Sequence, residues 1–315
     1  MSSCRKTGDN GRAKRRRKGE SVGRKTLKSL LDQLTREFDL RHISPDPVEI
    51  VHEYRAPEDQ EVVAFVAAAL AYGNVWSILR SVRRVLGVLG DSPRAAVLAL
   101  NPRKALDRLS GFRHRFNSGV DVARLLLMTG RALRRHGSLG TCFAQGYRET
   151  DPNIGPALER FVAHMLGAKF PDLDRVEKRT GSLSRVDFLL PLPSRGSACK
   201  RLNLFLRWMV RRRDGVDFGL WPQISPAKLI IPLDTHVARI SRGLGLTRRA
   251  AAGWKTACEI TEALKRLDPL DPVRYDFAIS RLGILGYCRR NAEAGKCSAC
   301  PLARVCTGPN GRAVS

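Results

Sequence analysis

The spacing of apolar residues indicates α-helices along almost the whole chain. In LKSLLDQLTREF, apolar side chains recur at positions 27, 30, 31, 34 and 38, the spacing of one helix face. EVVAFVAAALAYG (61–73) is apolar all round and predicts a buried central helix. An amphipathic helix follows in VWSILRSVRRVLGVLG. Similar patterns predict helices at about 121–135, 155–168, 199–212, 235–244, 254–266 and 274–286.

Proline, glycine and serine mark the predicted loops at 45–47, 91–93, 151–152 and 181–197. No alternating apolar and polar run bounded by hairpin turns stands out, and no internal repeat is visible. The predicted fold is therefore all-α, with two helical lobes, a cleft between them and a C-terminal cysteine-rich loop.

The charge of the chain indicates a polyanionic partner. Lys and Arg number 56 against 30 Asp and Glu, for a net charge of +26. Residues 1–28 hold eleven basic and two acidic side chains, so the rest of the chain is also strongly basic. Such a surface suits nucleic acid because each phosphate contact releases counterions, although charge can also serve solubility alone. The basic GFRHRFNSG stretch (111–119) is either a backbone-binding loop or a solvated turn.

Other classes of protein fit the sequence less well. The basic N-terminal segment lacks the apolar region of a secretory signal, and no window is apolar enough to span a membrane. An aromatic content of 6% argues against a single-strand stacking platform. We expect a monomeric cytoplasmic protein associated with nucleic acid.

Four cysteines close the chain in YCRRNAEAGKCSACPLARVC. They follow the pattern Cys288-x8-Cys297-x2-Cys300-x5-Cys306, which is typical of a metal site. Disulfides are disfavoured because nothing marks the chain as secreted. A single short clip followed by proline favours a 4Fe-4S iron–sulfur cluster, with zinc as the alternative. A brown protein would favour iron and a colourless one zinc. The remaining cysteines, at 4, 142, 199 and 258, are scattered and are interpreted as free thiols.

One carboxylate follows an apolar run in LIIPLDTHVARI (229–240). Asp234 precedes a helical pattern, where Asp is a common N-cap, and a charge beside a core is costly without partners. His236 and Asp276 are interpreted as structural residues. The tryptophans at 208, 221 and 254 are expected in the core, and only Trp221 and Tyr72 are considered for stacking on a base.

The LDTHV motif, followed by about fifty helical residues and a four-cysteine box, resembles the helix-hairpin-helix DNA glycosylase superfamily, in its endonuclease III-like branch. The whole chain, with VAFVAAALAYGN, GFRHRFN, LNLFLRWMVRR and DPVRYDFAISRLGILG, is most similar to an uncharacterised divergent bacterial family at the edge of that superfamily. The resemblance implies a two-lobed fold, a damaged base flipped from double-stranded DNA into the cleft, and Asp234 as the catalytic carboxylate. The first cysteine gap departs from the pattern, being eight residues instead of six.

The catalytic lysine is missing from its usual place. These glycosylases carry an L-P-G-V-G-x-K-T-A hairpin about eighteen residues before the aspartate, whereas position 216 here is valine. Lys228 stands only six residues before Asp234, too close to face it across a cleft. Lys200, thirty-four residues upstream, is the better candidate, since an archaeal oxoguanine branch of the superfamily also has a long lysine-to-aspartate spacing. Neighbouring Arg201 could help to lower the pKa of a nucleophilic lysine.

The resulting interpretation divides the chain into a basic arm (1–25), a glycosylase-like helical domain (26–286), a cluster loop (287–308) and a tail (309–315). The expected activity is N-glycosidic cleavage, with possible AP-lyase action through Lys200. The alternative is a non-catalytic DNA-binding protein that keeps the scaffold and the metal cluster, and an RNA-directed enzyme is a third possibility.

Overall fold

A computed structural model describes residues 24–180, 185–288 and 297–307. The arm before residue 24 and the tail after residue 307 lie outside the described residues. Apart from one small hairpin, the regular structure of the described residues is helical, which confirms the all-α class. Its helices are α1 (24–37), α2 (Val48–Val51), α3 (Pro57–Ala69), α4 (Val75–Leu89), α5 (Pro93–Ala99), α6 (Pro102–Arg108), α7 (Gly119–His136), α8 (Leu139–Ala144), α9 (Gly155–Leu166), α10 (Pro171–Thr180), α11 (Val186–Leu189), α12 (Lys200–Val210), α13 (Thr235–Gly243), α14 (Trp254–Lys265) and α15 (Asp276–Ile284).

All nine helices predicted from periodicity are present, with ends shifted by a few residues. The sequence pattern missed the short helices α2, α5, α6, α8 and α11 and the charged helix α10. Two of these correct the loop predictions, because α5 begins at Pro93 and α11 lies inside the predicted loop at 181–197. A helix of four to seven residues is too short to display a repeating apolar face.

The GFRHRFNSG stretch forms an antiparallel hairpin, a strand pair that the sequence pattern did not predict. Strands β1 (Arg113–His114) and β2 (Asn117–Ser118) pair with Arg113 opposite Ser118. The hairpin is tied to the end of α3 by the Tyr72 hydroxyl, which donates to Asn117 Oδ1 at 2.6 Å. Its tip residue Arg115 lies against Gly73, where a Cβ atom would come within 2.7 Å of Arg115 Cδ.

The central helix of the core is α3, in which every residue from Gln60 to Ala69 is buried. It packs against α2, α5 and α12. Buried apolar side chains from Leu31 to Leu302 form one connected cluster. The division into two lobes stays a prediction.

Helices α13 and α15 cross closely at Gly283. A Cβ atom there would come within 2.4 Å of His236 Nδ1 and 2.5 Å of His236 Cβ. Because contacts below 3.0 Å force a shift, the crossing requires glycine. The position of α13, and so of Asp234 at its start, therefore depends on this contact.

We expect Gly283→Ala to lower the free energy of unfolding by about 1–3 kcal/mol, the usual cost of overpacking. The matched control is Gly87→Ala in α4, where a Cβ atom would meet nothing within 4 Å. That control is expected to be neutral or stabilising, since alanine favours helix. Urea unfolding of both variants measures the difference, and equal stabilities would contradict the close crossing.

Candidate active site and metal centre

Asp234 is the N-cap of α13, as the sequence predicts. Its backbone is extended, and its Oδ1 accepts a hydrogen bond from Val237 N at 2.8 Å. The carboxylate is half-buried at the positive end of a nine-residue helix. The cap hydrogen bond therefore fixes the position of a charge that solvent only partly reaches.

Asp234 and Lys200 line the same cavity, which has a volume of about 370 Å³. The two residues come from the starts of α13 and α12. Asp276 and Arg207 also line this cavity, together with Gly73 and other residues from the end of α3 and the start of α4. A volume near the lower end of ligand pockets suits one small cyclic group.

The Lys200 ammonium donates to the Ala71 carbonyl oxygen at 3.2 Å. The preceding residue, Cys199, has a left-handed backbone (φ 48°), from which α12 starts. Lys228 is directed elsewhere, since its Nζ donates to the carbonyl oxygens of Glu149 (2.6 Å) and Asp151 (2.9 Å). Of the two lysines considered, only Lys200 reaches the cavity.

Arg201, which the sequence offers as a neighbouring charge for Lys200, does not line the cavity. Its guanidinium lies between two rings, 4.8 Å from the centroid of Tyr72 and 4.4 Å from that of Phe188. Burial lowers the pKa of Arg201 to about 10. Its position indicates a packing role, in which it donates to backbone oxygens of Ala69 and Phe188.

A buried ion-pair network forms one wall of the cavity. Arg207 donates from Nη1 to Asp276 Oδ2 at 2.5 Å and from Nε and Nη2 to Asp217 Oδ1, both at 3.1 Å. All three side chains are at most 3% exposed. The second oxygen of Asp276, Oδ1, is buried and makes no hydrogen bond with the described residues. The sequence interpretation of Asp276 as structural therefore accounts for only one of its oxygens.

Burial raises the pKa of Asp276 to about 6, against the opposing effect of Arg207, and the neighbouring charges of Asp234 and Asp217 add to the rise. In an unfolded chain an aspartate titrates near ~3.9. Between these values the folded protein keeps a proton that the unfolded chain has lost. The contribution of Asp276 to the free energy of unfolding therefore decreases as the pH rises between these two pKa values.

We expect Asp276→Asn to remove this pH dependence. Urea unfolding of both proteins from about pH 4.5 to 6.5 gives the free energy of unfolding of wild type minus that of the variant. The difference should decrease with rising pH, because only the wild type has to ionise a buried carboxyl. A constant difference across the window would show that Asp276 keeps an ordinary pKa.

The segment from residue 211 to 233 contains no pair of helices around a hairpin. Its regular structure is a single 3-10 turn at Pro226–Lys228. Arg211 is anchored there by ion pairs to Asp214, Asp217 and Asp271. Val216, the residue at the position where the resemblance to the glycosylases would place a lysine, is buried in the core.

The four C-terminal cysteines are half-buried, and the residues at the two ends of their segment, Cys288 and Thr307, contact α13. Burial raises the pKa of the Cys300 thiol, and the charges of the cysteines at 288, 297 and 306 raise it further. Arg239 of α13 donates from Nε to Cys288 Sγ at 3.3 Å and from Nη2 to His236 Nδ1 at 3.1 Å. Thr307 N donates to the Gly243 carbonyl oxygen at 2.8 Å.

These contacts fit a cysteine-held metal group. Four half-buried thiols and a guanidinium that donates to one sulfur suit a thiolate cluster, which such hydrogen bonds stabilise. Both sides of the cysteine loop are attached to the helix that begins at Asp234. His236 accepts from Arg239 because a guanidinium only donates, in agreement with the structural role expected from the sequence.

The two aromatic residues considered for stacking on a base, Trp221 and Tyr72, do not line the cavity. Trp221 is buried and donates from Nε1 to Glu61 Oε1 at 2.8 Å, so it cannot stack on a ligand. Tyr72 is half-buried and its hydroxyl is held by the hairpin. Trp76, which the sequence analysis missed, is 61% exposed in the first turn of α4, beside cavity-lining Val75. The apolar pattern of α4 does not reveal that Trp76 is exposed.

Comparison with known proteins gives one match, to a family model described as a protein of unknown function, DUF2400. The match covers residues 46–285, about three quarters of the chain. The chain belongs to the DUF2400 family. The DUF2400 region includes Lys200 and Asp234 and ends just before Cys288. No curated protein and no solved structure matches the chain. Among the described residues, no helix of this DUF2400 protein is long and apolar enough to cross a membrane.

Proposed function

We propose that this DUF2400 protein is a DNA N-glycosylase that accepts a flipped, damaged base in the cavity of Asp234 and Lys200. The observation that carries the proposal is the meeting of these two side chains, thirty-four residues apart, in one cavity of about 370 Å³. A base must leave the duplex to reach such a site, at a cost of a few kcal/mol that is smallest for damaged or mispaired bases.

The chemistry follows from the two groups. Cleavage of an N-glycosidic bond develops positive charge on the sugar, and the anion of Asp234 stabilises that charge in a partly water-excluded site. The N-cap hydrogen bond holds the carboxylate in place before the reaction. The amine of Lys200, after its ammonium has lost a proton to solvent, attacks the C1′ carbon while the C1′–N bond breaks and the base leaves with the bonding electrons and takes up a proton. The C1′–O4′ bond then breaks, the sugar ring opens, and the resulting imine allows AP-lyase action.

The surface at the cavity mouth supports a nucleic-acid partner. Several apolar side chains next to or within the cavity lining are exposed: Trp76, directly after cavity-lining Val75 in α4, Ile284, which lines the cavity, and Leu285 and Tyr287, which follow it. Apolar side chains that insert between base steps are a common way to open a duplex. Arg115 at the hairpin tip supplies a cation beside Gly73, and the net charge of +26 favours phosphate contacts.

Trp76→Ala is expected to lower kcat/KM for base release about 5- to 100-fold, the usual range for loss of an aromatic–base contact. The control is Leu270→Ala, which removes a 79% exposed apolar residue whose chain neighbours, unlike those of Trp76, do not line the cavity. That control should leave kcat/KM unchanged. Equal losses in both variants would show that Trp76 has no special contact with the substrate.

The four C-terminal cysteines would hold a 4Fe-4S cluster, with zinc as the alternative. When bound, such a group supplies a rigid cross-link between Cys288, Cys297, Cys300 and Cys306. Arg239 and Thr307 transmit that rigidity to α13 through their contacts with Cys288 and Gly243. A bound cluster would in this way help to hold Asp234 in position.

The experiment that tests the proposal is incubation with duplexes that carry oxidised, alkylated, deaminated or mismatched bases. Hot alkali then converts each abasic site to a strand break. At least one substrate is expected to break in a protein-dependent manner. Absence of breaks in the whole panel, with substrates confirmed by enzymes of known specificity, would contradict the proposed reaction.

The second candidate is a non-catalytic DNA-binding protein on the same scaffold. It is favoured by the segment 211–233, which lacks the hairpin sequence of the glycosylases and holds ion pairs of Arg211 with Asp214 and Asp217. This candidate predicts salt-dependent duplex binding with no base release. Competition between DNA and RNA duplexes separates both candidates from an RNA-directed enzyme.

A further inference from the structure

Two histidines and a cysteine cluster where α7, α8 and α9 meet. His136 is the last residue of α7, Cys142 lies in α8 and His164 lies in the last turn of α9. One nitrogen of each imidazole and the Cys142 sulfur all lie within 4.8 Å of one another. None of the three lines the cavity of Asp234 and Lys200, so the cluster is a separate feature.

The spacing of the two imidazole nitrogens matches tetrahedral coordination. The Nε2 atoms of His136 and His164 are 3.2 Å apart. With zinc–nitrogen bonds of about 2.0–2.1 Å, tetrahedral angles place two such nitrogens roughly 3.3 Å apart. With a zinc–sulfur bond of about 2.3 Å, the sulfur falls roughly 3.6 Å from each nitrogen. Small side-chain rotations therefore suffice to bring the three atoms around one ion.

The backbone holds the three residues in this arrangement. Gly137, with φ 80°, ends α7 directly after His136, and Ser138 caps α8 by accepting from Thr141 N at 2.9 Å. The tight turn brings Cys142 back toward the end of α7. Cys142 is buried, whereas His164 is exposed. The thiol therefore lies on the buried side of the cluster, and the imidazoles lie on its solvent side.

We propose that His136, Cys142 and His164 bind a zinc ion, with water as the fourth ligand. Thiolate and imidazole donors together favour zinc over magnesium or calcium, which prefer oxygen. On binding, the Cys142 thiol loses its proton to solvent and its sulfur bonds to the ion. The ion would connect the ends of three helices, independently of the glycosylase reaction. The competing account is a hydrogen bond between two neutral imidazoles above a core cysteine.

The test uses the full-length chain and four variants. Zinc is measured per chain, after equilibration with zinc and removal of loosely bound metal, for wild type, Cys142→Ala, His136→Gln and His164→Gln. Cys258→Ala is the matched control, since it removes a half-buried cysteine of α14 that belongs to no such cluster. Metal held by the four C-terminal cysteines is common to all five proteins and cancels in the comparison.

Wild type and Cys258→Ala are expected to hold about one zinc more per chain than Cys142→Ala. Cobalt in place of zinc should give a sulfur-to-metal charge-transfer band that decreases in Cys142→Ala and not in Cys258→Ala. If Cys142→Ala fails to fold, His164→Gln decides, because an exposed side chain can be replaced without disturbing the core. That variant should bind the additional zinc at least about 10-fold more weakly. Equal zinc content and affinity in wild type and His164→Gln would overturn the site.

Discussion

Replacing Asp234 with asparagine is expected to lower the rate of base release by about 100- to 1,000-fold. This is the usual loss when a fixed electrostatic partner of a transition state is removed. The substitution separates the two roles of the side chain. Asparagine caps a helix as well as aspartate does, so the hydrogen bond to Val237 N can persist while the negative charge is lost.

The free energy of unfolding of Asp234→Asn should therefore stay within about 0.5 kcal/mol of wild type. The comparison variant is Asp234→Ala, which loses both cap and charge. It should be as inactive as the asparagine variant and less stable by about 0.5–2 kcal/mol. Rates measured under single-turnover conditions, with urea unfolding in parallel, check both statements. An active asparagine variant beside an inactive, destabilised alanine variant would reduce Asp234 to a structural cap.

Replacing Lys200 with glutamine is expected to abolish covalent trapping of the DNA by borohydride. An amine that attacks the sugar carbon forms an imine, and borohydride reduces this imine to a stable secondary amine between protein and DNA. Glutamine has no nucleophilic amine. Its amide can still donate toward the Ala71 carbonyl oxygen that Lys200 contacts. The cross-linked species on a denaturing gel should therefore fall to background.

Lys228→Gln is the matched control for this experiment. It removes a lysine whose Nζ donates to carbonyl oxygens of Glu149 and Asp151, outside the cavity. The control should trap DNA as wild type does. Trapping by Lys200→Gln at the wild-type level would assign the amine to another residue. Base release without any trapping by wild type would instead indicate water as the nucleophile.

Much of the fold could be predicted from the apolar pattern, because long helices repeat their buried face several times. The N-cap role of Asp234 was also predictable, since it depends on neighbours within three residues. The candidate residues Lys200 and Asp234 were proposed from a resemblance and from chain spacing. Their meeting in one cavity depends on how α12 and α13 pack, which no local pattern encodes.

Other features depend on contacts between distant parts of the chain. Asp276 is held by Arg207, sixty-nine positions away, so its raised pKa has no local signal. The hairpin at 113–118 has strands of two residues, too short for a visible alternation. His136 and His164 come together only because α7, α8 and α9 converge, and their spacing matches no common metal motif. The four C-terminal cysteines could be recognised from the sequence because they stand close together along the chain, between positions 288 and 306.

The most direct measurement of the central claim is mass spectrometry of the bases released from duplexes containing oxidised, alkylated, deaminated or mismatched bases. Wild-type protein is expected to release a free base from at least one damaged duplex, leaving an abasic site in the DNA. Asp234→Asn at the same concentration should release at least about 100-fold less of that base. No free base with wild type, or equal release by both proteins, would contradict catalysis by Asp234 in this cavity.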